Sequence, residues 1–364
     1  MLPVIGLSSA AGGRHNIACI TVRVSVGPLS CILIIYIITI NLKSKAATTA
    51  FLSPVFRLRN TAQGVDVVQN FRMIAEILVG NLLGEGVQWR PGDRSLWWTD
   101  ILDNKMYRLE WRQRSVRRID VPEPLGSFAF TAKPNTVAAA FATGFALFDY
   151  ESGALDWIHR PDFLEGEGRF NDGRADRQGR FWSGTMMASP SHKSPAAGRL
   201  FCLDAIGAVS EHEHNIGISN GLCWSPDGGT LYFADSLPGI IYAYDFDGTT
   251  GTPRNRRVFA KSPAGGSPDG AAVDAAGNVW SAQWGIGKVL AYNPAGEIIA
   301  EVPVPASQPT CVAFGGEDLD LLFVTSAKDG LDKDTLEGEP SAGNVFVFET
   351  GTKGLPETIY RGAA

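Results

Sequence analysis

Cysteine and histidine are scarce in this sequence, with five of each among 364 residues. The cysteines are scattered and no two form a Cys-x-x-Cys pair, so neither a zinc knuckle nor a disulfide framework is indicated. Three of them, Cys202, Cys223 and Cys311, lie in apolar runs, where free cysteine packs as a small hydrophobic residue. We therefore predict buried free thiols at these three positions, apart from Cys19 and Cys31 near the N-terminus.

Excess positive charge is also lacking. The 32 Lys and Arg are outnumbered by 38 Asp and Glu, giving a net charge of −6, whereas a nucleic-acid surface needs clustered basic residues. No Gly-x-Ser-x-Gly nucleophile elbow occurs, and Gly285-Ile286-Gly287-Lys288 lacks the spacing of a phosphate loop. These absences exclude nucleic acid as an expected partner and disfavour a serine hydrolase.

Glycine, proline and tryptophan are abundant instead, with 41, 21 and nine residues. Frequent Gly and Pro are typical of many short strands joined by turns, and tryptophans are typical of propeller blades, where aromatic rings pack between sheets. A hydrophobic content of 45% allows a packed core. The composition favours an all-β protein.

Residues 1–70 differ from the rest because they lack regular turn signals. Residues 24–42 carry no charge. The length of this uncharged stretch is close to the minimum that spans a bilayer. Three interpretations stay open: a signal anchor, a cleaved signal peptide with Ala46, Ala47 and Ala50 near its cleavage site, or an extension outside the functional unit. We expect a cytoplasmic protein, with secretion, a periplasmic location or membrane anchoring through residues 24–42 as the alternative.

A repeat begins after residue 80. Its strongest β-runs recur about every 41–50 residues, which is the period of a four-stranded propeller blade; they start near Leu96, Val137, Phe181, Leu231, Val279 and Leu322. The run at Val137 is the weakest match because it is poor in β-branched residues. We predict a six-bladed β-propeller over residues 71–364. Residues 71–78 are expected to add a strand to the last blade and close the ring.

A polar residue followed closely by glycine precedes four of these runs at the same phase; the segments are Glu85-Gly86-Val87, Asn171-Asp172-Gly173, Asn220-Gly221-Leu222 and Asp269-Gly270-Ala271. Each one alone is explained by a turn, since Asn-Gly and Asp-Gly are common hairpin signals. Equal phase in a closed ring, however, brings the side chains together just before the innermost strands, near the channel mouth. Their oxygens would suit a hard divalent cation.

Three further positions share or flank this phase. Arg169 precedes Asn171 by two residues, so it either holds a substrate oxygen by a forked hydrogen bond or is a surface arginine. Ser127 and Thr310 with Cys311 occupy the corresponding phase in the other two blades. They either line the same pocket or serve as small turn residues.

In combination, these motifs resemble the family of senescence marker protein 30 (regucalcin), gluconolactonase and luciferin-regenerating enzyme. The resemblance covers roughly residues 78–350 and rests on Leu83-Gly84-Glu85-Gly86, Trp98-Thr99-Asp100-Ile101, Arg169-Phe170-Asn171-Asp172-Gly173, Gly184-Thr185-Met186, Ser219-Asn220-Gly221-Leu222, Ser267-Pro268-Asp269-Gly270 and Pro309-Thr310-Cys311. It implies a six-bladed propeller that binds one divalent cation, Ca²⁺, Zn²⁺, Mn²⁺ or Mg²⁺, and hydrolyses sugar lactones.

By the same resemblance, Glu85, Asn220 and Asp269 are the expected metal ligands, and Arg169 and Asn171 the expected substrate contacts. Asp269 is also the predicted general base for the attacking water. The expected partner is a small sugar lactone, and the expected assembly is a monomer or a small homo-oligomer. A membrane is a partner only if residues 24–42 act as an anchor.

The sequence departs from the family pattern at two places. Glu85-Gly86-Val87 replaces the familiar Glu-Gly-Pro, which leaves the ligand intact. Met187-Ala188-Ser189-Pro190-Ser191 lacks an acidic residue that members with a defined sugar pocket often carry after Gly-Thr-Met. Two other functions therefore stay open: a non-catalytic calcium-binding or scaffold propeller, and an esterase or organophosphate hydrolase on the same fold.

Overall fold

The computed structural model describes the backbone of residues 17–26 and 29–38, and residues 71–162, 168–187 and 197–362 in full. The chain divides into two units, residues 1–52 and 53–364. In the first unit, β1 (Ile17–Val26) and β2 (Leu29–Ile38) pair as an antiparallel hairpin with Val26 opposite Leu29. Among the described residues, no helix has the length and apolar character that crossing a membrane requires. The three interpretations of the N-terminus remain predictions, and the proposed cleavage region lies outside the described residues.

The second unit consists of six four-stranded antiparallel sheets, as predicted. The first blade comprises β4 (Gly84–Arg90), β5 (Ser95–Asp100), β6 (Lys105–Glu110) and β7 (Ser115–Asp120). The second comprises β8 (Leu125–Phe130), β9 (Thr136–Phe141), β10 (Gly144–Asp149) and β11 (Leu155–His159). The third comprises β12 (Gly168–Ala175), β13 (Phe181–Met187), β14 (Gly198–Leu203) and β15 (Val209–Ile216).

The remaining blades follow the same order along the chain. The fourth comprises β16 (Ser219–Trp224), β17 (Thr230–Asp235), β18 (Ile240–Asp247) and β19 (Thr252–Lys261). The fifth comprises β20 (Ser267–Val273), β21 (Val279–Trp284), β22 (Lys288–Tyr292) and β23 (Ile298–Pro303). The sixth comprises β24 (Pro309–Gly315), β25 (Leu321–Ser326), β26 (Val345–Glu349) and, from the start of the unit, β3 (Arg72–Ile77).

The predicted closing strand is confirmed. β3 pairs antiparallel with β26, so the last blade draws strands from both ends of the unit. Arg72 and Glu349 join these strands through a two-bond ion pair, with Nε to Oε2 at 2.9 Å. The innermost strands β4, β8, β12, β16, β20 and β24 follow one another around the axis, and β24 packs on β4. The ring is therefore closed by strand pairing as well as by packing.

Each pair of neighbouring blades encloses one hydrophobic cluster, and together the six clusters form the core. Aromatic rings carry much of this contact, as expected from the tryptophan content. Trp89 of the first blade stacks on Phe323 of the sixth at 5.6 Å between ring centroids, and Trp280 of the fifth meets Phe314 of the sixth edge-on at 5.7 Å. The weak second-blade run is buried throughout as β9, where three successive alanines fit between sheets.

The turn chemistry repeats along with the strands. In the third blade, the Asp176 carboxylate accepts hydrogen bonds from two backbone N–H groups of its own turn and from the indole of Trp182, at 3.0 Å. In the fifth blade, Asp274 makes the same contacts with its turn and with Trp280, at 3.0 Å. One aspartate thus fixes both the turn and the core tryptophan of the next strand.

Two short segments complete the unit. The helix α1 (Lys333–Gly338) has Asp332 as its N-cap, with Oδ1 accepting from the Thr335 N–H at 2.8 Å. The C-terminal tail (residues 350–362) bonds to four blades: the Gly354 N–H donates to Leu319 O, the Ala275 N–H to Lys353 O, the Tyr360 N–H to Phe130 O and the Arg361 N–H to Gly179 O. The tail therefore crosses one end of the ring. Cys202, Cys223 and Cys311 are free and buried, as predicted.

Candidate functional site

The polar residues singled out from the sequence lie inside the innermost strands, at a bulge in each. The pairing register shifts between Glu85 and Gln88 in β4, and between Asn220 and Cys223 in β16. Similar shifts occur in β12 and β20. The expectation that these residues precede the strands was wrong, but their equal phase around the ring is confirmed. Glu85 and Asn220 are the last paired residues before the bulge, whereas Asn171 and Asp269 lie within it. A bulge bends the strand locally and re-aims the side chains beside it.

Glycine is required at two of these bulges. Gly86 and Gly221 have φ angles of +58° and +61°, a region where residues with a side chain are strained. The glycines that follow Glu85 and Asn220 therefore belong to backbone bulges and not to hairpin turns.

All five predicted site residues line one cavity of about 440 Å³; they are Glu85, Arg169, Asn171, Asn220 and Asp269. The cavity lies at the N-terminal ends of the innermost strands, which run in the same direction around the ring. Ser127 and Thr310 do not line it. The Ser127 hydroxyl meets Ser183 Oγ at 3.0 Å, and the Thr310 hydroxyl bonds to Gly84 O and to Thr325 Oγ1.

A chain of hydrogen bonds fixes the amide side chains in this cavity. Asn171 Nδ2 donates to Asn220 Oδ1 and to Ser219 O, both at 2.9 Å. Asn220 Nδ2 donates to Ser236 Oγ at 2.8 Å, and the Ser236 hydroxyl donates to Pro268 O at 2.6 Å. The Asn220 carbonyl oxygen is therefore held in one orientation, while its second lone pair stays available. No sequence pattern indicated Ser236, because its role depends on a contact between two blades.

The carboxylates of the site are buried close to one another. Burial raises the pKa of Glu85 to about 8, and the neighbouring Asp172 adds to the rise. Burial also raises the pKa of Asp269 well above its usual range, with repulsion from Glu85 and Asp172 acting in the same direction. Asp269 Oδ1 accepts no hydrogen bond from the described residues. Because a buried, unpaired carboxylate costs free energy, this end of the channel is suited to receive positive charge.

Arg169 is the cationic side chain of this group. Its Nη1 donates to Phe170 O at 3.0 Å and to Asn171 Oδ1. Burial lowers the pKa of Arg169 below its usual value, and attraction to Glu85, Asp329 and Asp269 acts the other way. Arg169 therefore lines the pocket, and its contact with a substrate stays a prediction.

The donor set fits a hard divalent cation. Carboxylate and amide oxygens are the ligands that Ca²⁺, Mg²⁺ and Mn²⁺ prefer. Asp269 lines the same cavity as Glu85 and Asn220, and its Oδ1 has no hydrogen-bond donor among the described residues. Within the described ranges, no three His, Cys, Asp or Glu side chains cluster as a metal site. The predicted set contains only two such residues, and its third donor is the amide of Asn220.

Comparison with known proteins gives the family. Residues 83–328 match the model of the SMP-30/Gluconolactonase/LRE-like region. A 6-deoxy-6-sulfogluconolactonase from Pseudomonas putida is 36% identical over 78% of this chain and 96% of its own length. An L-arabinolactonase from Azospirillum brasilense is 37% identical over 78% of this chain and 93% of its own length.

Solved structures agree with the sequence relatives. A calcium-binding regucalcin from Agrobacterium tumefaciens superposes with a TM-score of 0.75 at 32% identity, covering 80% of this chain and 98% of that one. A luciferin-regenerating enzyme superposes with a TM-score of 0.73 at 28% identity, covering 78% and 97%. This six-bladed propeller is therefore a member of the SMP-30/gluconolactonase/LRE-like family.

Proposed function

We propose that this protein is a metal-dependent lactonase that opens a five- or six-membered aldonolactone to the sugar acid. The observation that carries the proposal is the convergence of Glu85, Asn220 and Asp269 on one cavity, with one Asp269 oxygen left without a hydrogen-bond donor. Relatives named as lactonases for sulfogluconolactone and arabinolactone, at 36% and 37% identity, support the same reaction class.

Glu85, Asn220 and Asp269 would hold the cation, which when bound polarises the lactone carbonyl and favours negative charge on its oxygen. Asp269 has a second task as general base. Its carboxylate lines the cavity and can accept the proton of an incoming water molecule. Arg169 would orient the lactone oxygens through its remaining guanidinium N–H donors, because it lines the cavity and only Nη1 is engaged among the described residues. Asn171 would contact the lactone through Oδ1 as an acceptor for a ring hydroxyl, because both of its amide N–H groups are occupied.

The proton and bond changes balance without a further reactant. The oxygen of a water molecule bonds to the acyl carbon while its proton passes to the Asp269 carboxylate. The bond between the acyl carbon and the ring oxygen then breaks. The proton held on Asp269 returns to the departing ring oxygen, which leaves as a hydroxyl of the open-chain acid.

A pH-indicator assay over a panel of glucono-, galactono- and arabinonolactones tests this proposal. We expect hydrolysis by the purified protein, loss of activity after exhaustive EDTA treatment and gel filtration, and recovery when Ca²⁺, Mn²⁺, Zn²⁺ or Mg²⁺ is restored. Full activity after chelation would defeat the metal assignment, and inactivity on every lactone would defeat the reaction.

Binding of calcium without catalysis is the second candidate. It is favoured by the two buried carboxylates of the site and by the relative described as a calcium-binding regucalcin. Calorimetric titration with CaCl₂ alongside the lactone assay separates the two functions. Tight binding with no turnover of any lactone supports the second candidate.

A further inference from the structure

The sixth blade contributes one carboxylate to the wall of the site cavity. This carboxylate takes no part in the hydrogen bonds described above. Asp329 lies in the loop after β25 and lines the same cavity as Arg169 and Asp269. Within the described part of the chain, no side chain or backbone group donates a hydrogen bond to its carboxylate. Its side chain is exposed rather than buried, so it is available to a molecule that enters the cavity.

The backbone that presents Asp329 is fixed on both sides. The Asp329 N–H donates to Leu82 O at 3.0 Å, and its carbonyl accepts from Gln308 Nε2 at 2.8 Å. The adjacent Lys328 ammonium is occupied elsewhere, because it donates to Gly80 O at 3.1 Å. Asp329 is thus a pre-positioned acceptor, and fixed geometry lowers the entropic cost of binding a ligand.

Arg169 gives the cavity donors that complement this acceptor. Asp329 attracts the Arg169 guanidinium, as Glu85 and Asp269 also do. Only Nη1 of Arg169 reaches acceptors among the described residues. The other guanidinium N–H groups have no described partner, so donor and acceptor groups face the same space.

Trp284 supplies an apolar counterpart. It is the last residue of β21, lines the cavity, and packs against the cluster of Leu83, Ile101 and Ala327. The indole is half-buried and supported from behind, which leaves part of it toward the cavity. An aromatic surface beside polar groups suits a ring that has hydroxyls along its edge and C–H bonds on its face.

We propose that Asp329 is a specificity residue that accepts hydrogen bonds from ring hydroxyls of the lactone, while Trp284 packs against the C–H face of the same ring. This inference rests on the proposed lactonase function and adds to it the two residues that would distinguish a hydroxylated lactone from one without hydroxyls. A lactone without hydroxyls leaves Asp329 unused, whereas a hydroxylated lactone gains the interaction in both ground and transition states.

The test compares D-glucono-δ-lactone with δ-valerolactone, which has the same ring and no hydroxyls. For Asp329→Ala in the metal-loaded full chain, we expect kcat/KM for gluconolactone to fall about tenfold, mainly through KM, because the lost contact is uniform binding. The value for valerolactone should change less than about twofold. Asp156→Ala is the matched control, since Asp156 is an exposed aspartate on the outermost strand β11.

The possible outcomes distinguish a failure of the Asp329 role from a failure of the proposed lactonase function. An equal loss on both lactones, or no loss on either, overturns the role of Asp329 while the lactonase proposal survives. Failure of the wild-type protein to hydrolyse either lactone overturns both. Thermal unfolding of Asp329→Ala and Asp156→Ala, measured by circular dichroism, shows whether a loss comes from misfolding, and an unchanged midpoint assigns it to the missing carboxylate.

Discussion

The two ends of the central channel are built from the same six innermost strands, yet they handle buried charge in opposite ways. At the N-terminal ends of these strands, here called the site end, Glu85 and Asp269 are buried and repel each other, and one Asp269 oxygen has no described partner. At the C-terminal ends, here called the tail end, Arg174 is buried against Glu357 of the C-terminal tail. The site end leaves a buried carboxylate oxygen without a hydrogen-bond donor, whereas the tail end pairs its buried arginine with a carboxylate.

The tail end is closed by the chain itself. The Arg174 and Glu357 side chains are only 9% and 13% exposed, and Arg174 Nη2 also donates to Val312 O at 3.4 Å. The cavity that remains there is about 20 Å³, which admits about one water molecule. A paired charge in a filled space serves stability and leaves no room for a ligand.

In a fold with near-rotational symmetry, the two ends of the channel differ in buried polar groups and not in architecture. Blades and strand order are nearly the same at both ends, so the fold alone does not mark the site. What distinguishes the candidate site is a buried carboxylate oxygen without a hydrogen-bond donor among the described residues, because such a group costs free energy that a bound ligand can offset. The tail, which lies beyond the family-matched residues 83–328, closes the other end.

The largest expected effect comes from removing charge at the site end. Asp269→Asn should lower kcat for a sugar lactone about 10³-fold, because it removes the general base and one ligand charge. In the metal-free protein, the same change relieves repulsion with Glu85, so the unfolding temperature should stay level or rise. Steady-state kinetics of the metal-loaded wild type and variant measure the change in kcat. Calorimetry of the metal-free proteins measures the change in unfolding temperature. A variant that retains activity, or one that unfolds, contradicts this account of the site end.

The opposite pattern is expected at the tail end. Glu357→Ala strands the buried Arg174 charge, so the free energy of unfolding should fall by about 3–5 kcal/mol, with kcat/KM changed less than about twofold. Glu349→Ala is the matched control, because Glu349 also pairs with an arginine but both side chains are about half exposed. Its loss should be about 1 kcal/mol or less.

Urea unfolding of the two glutamate variants measures this difference. Equal losses would mean that burial of the Arg174–Glu357 pair is unimportant. A large loss of catalytic activity in Glu357→Ala would mean that the two ends are not separate in function.

Local signals were enough to predict much of the fold. The period of the β-runs predicted six blades, and the stretch at residues 71–78 predicted the closing strand, since both patterns lie in consecutive residues. The equal phase of Glu85, Asn220 and Asp269 likewise predicted that they meet at one cavity. What failed was local backbone geometry. Asn-Gly was interpreted as a possible turn before the strand, whereas Gly221 marks a bulge within it.

Contacts between distant segments were beyond sequence reasoning. Ser236 joins Asn220 to Pro268 across two blades, and no motif in the sequence indicates this contact. The Arg174–Glu357 pair joins residues 183 positions apart. Such pairs form only when the ring is closed and the tail has taken its path. The residue spacing within one strand predicts neither.

The pH dependence of stability gives a smaller and finer test of the site end. In the folded, metal-free protein Glu85 keeps its proton up to about pH 8, whereas an ordinary glutamate releases it near pH 4.5. Its contribution to stability is therefore fully present below pH 4.5 and is lost as the pH rises through about 8. Asp269 acts in the same direction because its pKa is also raised. We expect the unfolding temperature of the EDTA-treated protein to fall by roughly 5–10 °C between pH 5 and pH 9.

Glu85→Gln should flatten this dependence, because glutamine resembles the protonated acid and cannot lose a proton. Asp156→Asn, at an exposed position on β11, should keep the full slope. Differential scanning calorimetry at five pH values measures all three proteins under one set of conditions. A Glu85→Gln variant that is as pH-dependent as the wild type would show that the buried carboxylate pair is not the source of the slope. The contrast between the ends of the channel would then rest on Arg174 and Glu357 alone.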